Sequence, residues 1–198
     1  MSEVDDRQLL ERVRRGDEEA FATVYARHQS AIYRYALHMC GAAAADDIVQ
    51  DTFVALLRQP SGYEPSRGPV VSYLFGIARH HVAKRLTAMR AELTLLDDHP
   101  DAAGDEAVAS DDTPLEAISR RELVAQVRNA IQSLPSAYRE VVVLCELNEM
   151  DYAAASAVIE RPIGTVRSRL HRAKAMLMMK LAVLQGESQP HSKTGHRQ

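Results

Sequence analysis

Along most of this chain apolar residues recur at steps of three and four, the spacing that gathers them on one side of an α-helix. Leu9, Leu10 and Val13 predict a first short helix that stops near Gly16. Asp17 can cap the next, in which Phe21, Val24, Tyr25, His28, Ile32, Tyr35, Ala36 and Met39 share one face of a long core helix. Gly41 and the small residues 42–45 read as a break, after which Asp46 or Asp47 caps a third helix. That helix turns Ile48, Val49, Thr52, Phe53, Leu56 and Leu57 inward and leaves Asp47, Gln50, Asp51 and Val54 outside. Asp47 and Asp51 are like charges one turn apart, mildly unfavourable in an isolated helix. Capping and solvation account for Asp47; Asp51 and Gln50 lie beyond the first turn and fit equally a basic partner surface.

The stretch 60–69, PSGYEPSRGP, holds three prolines and two glycines and is expected to be loop. A helix follows from Ser72 with Tyr73, Leu74, Ile77, Ala78, Val82, Leu86 and Met89 inward, and Arg79, His80, His81, Lys84, Arg85 and Arg90 outward. Tyr63, Tyr73 and Phe75 lie close to this cationic track, where rings can stack on unpaired bases; the other reading is that they are core. Residues 93–113 are rich in Asp, Ala and Gly without sustained periodicity and read as an acidic flexible linker. Helix then resumes near Leu115 with Ile118, Val124, Val127, Ile131 and Leu134 inside, Pro135 ends it, and SAYREVVVLCELN forms another. The polar tail after Leu184 is expected to be disordered.

The stretch 150–179, MDYAAASAVIERPIGTVRSRLHRAKAMLMM, organises the rest. Asp151 can cap a helix of small residues running to Ile159, Pro162 cannot continue it, and Gly164 offers a joint before Thr165, so a helix-turn-helix is predicted. In its second helix Val166, Leu170, Ala173 and Leu177 form the apolar face, while Arg167, Ser168, Arg169, His171, Arg172 and Lys174 occupy the others. Residues 161–180 contain no acidic side chain. Such a face calls for an anionic partner, and a helix of this kind fits the DNA major groove. A solvated basic face on an ordinary bundle helix is the alternative.

Bulk composition changes this picture only in part. With 198 residues, 46% hydrophobic and 26% charged, the chain has the make-up of a globular protein of one or two domains. A net charge of −3 hides segregation: Asp97, Asp98, Asp101, Asp105, Glu106, Asp111 and Asp112 lie together, while residues 79–90 and 161–180 are basic. No apolar run approaches a membrane span, and the N-terminus is charged where a signal peptide has its apolar core, so no membrane insertion and a cytoplasmic location are expected. Cys40 and Cys145 sit in apolar helical patterns and read as two buried thiols, with neither a disulfide framework nor a metal site. No cofactor is expected.

Taken together, these motifs resemble an RNA polymerase sigma factor of the extracytoplasmic-function group, the minimal kind with domains 2 and 4 alone. DDIVQDTFVALLR is similar to the segment that docks on the polymerase β′ clamp helices, which implies Asp47, Gln50, Asp51 and Phe53 as contact or supporting residues. SYLFGIARHHVAKRL resembles the helix that engages the −10 element, and the loop before it the one that holds a flipped base. That resemblance implies Tyr63, Arg67, Tyr73, Arg79, His80, Lys84 and Arg85 as −10 residues. GTVRSRLHRAK is a near-verbatim family motif, implying Thr165, Arg167, Ser168, Arg169, His171, Arg172 and Lys174 as −35 residues. Tyr73 stands where Trp is usual, His80 where Asn is common, Lys84 where Asp is common, and Glu160 where the turn usually has Gly.

The implied fold is all-α: domain 2 over residues 1–92, an acidic linker over 93–114, domain 4 over 115–184 and a tail over 185–198. The implied partners are core RNA polymerase, through its β′ clamp helices and β flap, promoter DNA and an anti-sigma factor. The implied activity is promoter-specific initiation without catalysis. Two other readings are a stand-alone helix-turn-helix regulator, which would bind as a symmetric dimer, and a helical hydrolase built on His80, His81 and the carboxylates near Asp97 and Asp101.

Overall fold

A computed structural model describes residues 5–95 and 114–187, with side chains described for residues 5–91 and 122–182. Among the described residues every regular element is helical: α1 (Asp6–Arg14), α2 (Glu18–Cys40), α3 (Ala42–Arg58), α4 (Val70–Leu95), α5 (Pro114–Gln132), α6 (Ser136–Val142), α7 (Tyr152–Ile159) and α8 (Ile163–Glu187). The acidic stretch with Asp97, Asp98, Asp101, Asp105, Glu106, Asp111 and Asp112, and most of the tail, lie outside the described residues. So do the hydrolase reading's carboxylates.

In the N-terminal domain α2 packs against α1, α3 and α4, and α3 against α4. Asp17 caps α2 through an oxygen that accepts from the Ala20 backbone N–H at 3.0 Å, as its position predicts. Leu9, Leu10, Val24, Ile32, Leu56, Leu74 and Phe75 fill the centre of this domain. In the C-terminal domain α8 lies against α5, α6 and α7. Both domains share one contiguous apolar core, because α2 also touches α5 and α6 and α4 touches α7.

Several expectations are corrected. Residues 42–45 begin α3 instead of breaking the chain. Alanine is the best helix former, and the interruption is confined to Gly41, whose φ of 84° favours glycine. Neither Asp46 nor Asp47 is the cap. Leu57 is 49% and Tyr25 37% exposed, at the edges of stripes wider than the core they meet. Stretch 60–69 contains two short 3₁₀ turns, Pro60–Gly62 and Pro65–Arg67, and α4 starts at Val70, ahead of Ser72. It runs on to Leu95, and α8 to Glu187.

Val124, placed inside by periodicity, is 50% exposed beside Leu123 at 55%, whereas Ile131 and Leu134 are buried. Helix α5 stops at Gln132, and Pro135 begins the next element. The run after α6 forms a single π-helical turn, Val143–Leu147, closed by Asn148 N–H donating to the Val143 carbonyl at 3.1 Å. Cys40 and Cys145 are free and half-buried rather than fully buried, and burial raises both thiols to about 11, so they are protonated at neutral pH.

Candidate functional site

Three surfaces carry the predicted site residues. The first is the helix-turn-helix. Asp151 caps α7, accepting from Ala154 N–H at 2.7 Å; Ala154 and Ala155 are buried in α7, which packs against both α4 and α8. The chain leaves α7 through Glu160 in the left-handed conformation, φ 53°, a geometry that costs a residue with Cβ more than glycine. Ser156 Oγ donates to the Arg161 carbonyl at 2.5 Å and fixes the turn. The joint is therefore residues 160–162; Gly164, expected there, lies inside the first turn of α8, where Pro162 O accepts from Thr165 N–H at 2.8 Å.

Val166, Leu170 and Ala173 are buried as their spacing requires. Arg167, Ser168, His171, Arg172 and Lys174 are exposed, and Thr165 and Arg169 half-buried. Two of the cations have partners: the Arg167 guanidinium lies 5.7 Å from the Tyr152 ring centroid, and Lys174 Nζ is 2.9 Å from Glu146, which raises its pKa. His171 and Arg172 extend the outward face.

The second surface surrounds the loop before α4. Arg14 of α1 clamps it, donating to the carbonyls of Pro60 at 3.0 Å and Tyr63 at 2.9 Å. Tyr63 is 5% exposed and donates to the Gly68 carbonyl at 3.0 Å, so its ring supports the loop from within. Tyr73 packs against it with ring centroids 5.7 Å apart and is half-buried. A Cβ at Gly62 would come within 2.5 Å of the Tyr73 hydroxyl, so glycine here allows the ring its position. Phe75 is core, edge-on to Tyr35 at 5.5 Å. Arg67, His80, Lys84 and Arg85 are exposed, with Arg67 3.2 Å from Glu64. Arg79 is paired, its Nε 2.9 Å from Glu140. Ser72, 6% exposed, lines the adjoining cleft with an Oγ that has no hydrogen-bond partner among the described residues.

The third surface is the outer face of α3, where Asp47, Gln50 and Asp51 are all exposed. Asp51 stands 3.6 Å from His81 of α4. Phe53 is 2% exposed beneath them, with Phe21 and Tyr25 ring centroids at 6.3 and 4.7 Å, so it supports the face from below.

Periodicity passed over Arg14, Ser72 and Glu140. Glu140 had one signal: a carboxylate immediately before the apolar run VVVLC, at a position that proves 8% exposed. Among the described residues no group of three or more His, Cys, Asp or Glu is placed to hold a metal ion, and no helix is long and apolar enough to cross a membrane.

Two cationic helical surfaces and one acidic one, on an all-α scaffold, define a protein built to meet charged macromolecular partners. The family described as Sigma-70 region 2 matches residues 24–91, and that described as Sigma-70, region 4 matches residues 125–177. The chain is 31% identical over 182 residues to the RNA polymerase sigma-H factor of Pseudomonas aeruginosa, covering 88% of this chain and 92% of that one. It is 30% identical over 191 residues to the ECF RNA polymerase sigma-E factor of Salmonella typhimurium, covering 93% and 98%. Among solved structures, CnrH in complex with the cytosolic domain of CnrY matches with a TM-score of 0.65 and 26% identity over 92% of this chain and 99% of that chain. The sigma factor RpoE in complex with the anti-sigma factor NepR from Bartonella quintana shares the fold, TM-score 0.68 at 21% identity over 82% of this chain and 97% of that chain. The chain therefore belongs to the sigma-70 family of RNA polymerase sigma factors, in its extracytoplasmic-function group. Members of this family are transcription initiation factors and not enzymes; the reading as a stand-alone regulator is not supported.

Proposed function

We propose that the protein works in the cytoplasm, performs no catalysis, and docks on core RNA polymerase to direct it to promoters through separate −10 and −35 surfaces. Asp47, Gln50 and Asp51 meet the β′ clamp helices, with Phe53 holding their helix in place. The exposed apolar residues of α5 and α8, Leu123, Val124, Met178 and Met179, are the surface we assign to the β flap. Domain 2 is assigned to residues 1–92 and domain 4 to residues 115–184, with the acidic linker over 93–114 and a tail beyond.

Domain 4 reads −35 duplex with α8. Arg172 and His171 reach base edges, Arg167, Arg169 and Lys174 hold phosphates, and Thr165 and Ser168 sit at the end of α8 that enters the groove, where N–H groups favour phosphate. Domain 2 handles single strands. Opening duplex costs about 1.4 kcal/mol per stacked step, recovered when the loop beside Tyr63 and Tyr73 takes an extruded base and Arg67, Arg79, His80, Lys84 and Arg85 hold the backbone. Each contact is weak, and fixing both domains on polymerase raises their effective concentration. An anti-sigma factor would act by covering these surfaces.

The exposed, acid-free outer face of α8 carries this reading most directly. Its test mixes the protein with bacterial core polymerase and genomic promoter fragments and maps transcript starts. Starts should share two elements at fixed spacing. Arg172→Ala should lower initiation by about tenfold, the worth of one good Arg–base contact, at promoters that depend on the upstream element. Uniform, unselective starts would contradict the reading.

A further inference from the structure

The loop before α4 is assigned the task of holding an extruded base, yet its own backbone is poorly equipped to stay in one shape. Pro60, Pro65 and Pro69 have no N–H to donate. Its short turns are closed by single bonds: Gly62 N–H donates to the Gln59 carbonyl at 3.1 Å, Arg67 N–H to Glu64 at 3.0 Å and Gly68 N–H to Pro65 at 3.4 Å.

Arg14, the last residue of α1, supplies donors from outside the loop. Its Nε donates to the Pro60 carbonyl at 3.0 Å, and one Nη donates to Ser61 at 3.5 Å and to Tyr63 at 2.9 Å. The other Nη donates to Glu11, one turn earlier on α1, at 3.0 Å, which fixes the plane of the fork. The base of this clamp is rigid, because Leu9, Leu10 and Val13 bury the opposite face of α1 in the core. Its far end reaches the two rings beside the loop. The carbonyl it holds belongs to Tyr63, whose hydroxyl is bonded to Gly68 and whose ring packs on Tyr73. The Tyr73 phenol also feels it: burial raises its pKa and the Arg14 charge draws it back down. Helix α1 carries none of the three predicted surfaces, and the match to Sigma-70 region 2 begins at residue 24, beyond Arg14.

We infer that Arg14 is a positioning residue for base capture: it fixes the loop and the Tyr63–Tyr73 pair in the shape that accepts an extruded base. The inference deepens the promoter reading above and rests on it. A base gains its full stacking only if the surfaces around it are already in place, since a loop that must order on binding gives part of that gain back as lost conformational freedom. Without the guanidinium, the carbonyls of Pro60 and Ser61 lie where water can take its place. The domain stays folded while the loop samples more shapes.

The test assembles bacterial core polymerase with the wild-type chain, Arg14→Gln or Arg14→Lys. Each complex is titrated with the single non-template strand of a promoter mapped as above, and with copies carrying an abasic site at one −10 position in turn. The wild type should prefer the intact strand over the copy lacking the captured base by about tenfold or more, the worth of one stacked base. Arg14→Gln should narrow that preference to about twofold as preorganisation is lost, with core polymerase binding and the urea midpoint unchanged. Arg14→Lys keeps the charge but offers a point donor in place of a fork, so its preference should be intermediate, about fourfold. A full preference in Arg14→Gln overturns the inference. So does Arg14→Lys equal to the wild type, which would mean that positive charge near the strand suffices, and so does an equal loss for every strand, intact or abasic. If Arg14→Gln folds poorly, Arg14→Lys decides. A wild type without preference at any position removes the base-capture reading and the role of Arg14 with it, whereas the preceding outcomes leave that reading standing.

Discussion

At the scale of single residues, burial and hydrogen bonding separate contact from support among side chains that a motif treats alike. Tyr63 and Phe53 share stretches with exposed partners yet lie inside, Tyr63 bonded to Gly68 and Phe53 under the acidic face of α3. Asp17 and Asp151 were legible as caps because the chemistry is local: a carboxylate next to free N–H groups. Glu140 and Arg14 were not, because their partners lie far along the chain, Tyr35 being 105 positions from Glu140 and Pro60 46 from Arg14. The small space at Gly62 makes a residue-level prediction. In Gly62→Ala the new methyl would push the Tyr73 ring aside, and the far end of a side chain moves cheaply. Urea denaturation should change by no more than about 0.5 kcal/mol, while promoter opening, read by permanganate reactivity of unpaired thymines, should fall. A large loss of stability with opening intact would assign Tyr73 to the fold alone.

Among the described elements, the three- and four-residue periodicity located α1 to α5 and α8, while α6 and α7 were placed by Pro135 and by the Asp151 cap, and the errors fall at ends and edges. Residues 42–45 show that a run of alanines is helix, not punctuation. Leu57 and Val124 show that an apolar stripe can be wider than the surface it meets. The π-helical turn at Val143–Leu147 has no period of its own in the sequence. In the helix-turn-helix the αL position falls on Glu160 rather than on the nearby glycine, which locates a correctable strain. Glu160→Gly should stabilise the protein by about 1 kcal/mol, the penalty of a left-handed residue with Cβ, visible as a higher urea midpoint at unchanged slope. A lower midpoint would mean that contacts of the Glu160 side chain outweigh the backbone cost.

For the whole molecule, segregation of charge is what a net value of −3 conceals, and it was legible because charge blocks survive without knowledge of tertiary contacts. The arrangement of the two domains was not legible, since it depends on Glu140 meeting Arg79 across 61 positions and on α2 touching helices of both halves. Every promoter contact assigned to this chain presupposes that a larger enzyme sets the spacing of the two domains, so docking is the central claim. The most direct measurement is a titration of the purified full-length protein against bacterial core RNA polymerase, followed by fluorescence anisotropy or sedimentation at near-physiological salt. The account predicts a saturable one-to-one complex, weakened by Asp51→Arg about tenfold or more as like charge replaces a complementary one. Absence of any complex, even at low ionic strength where charge complementarity is strongest, would contradict it.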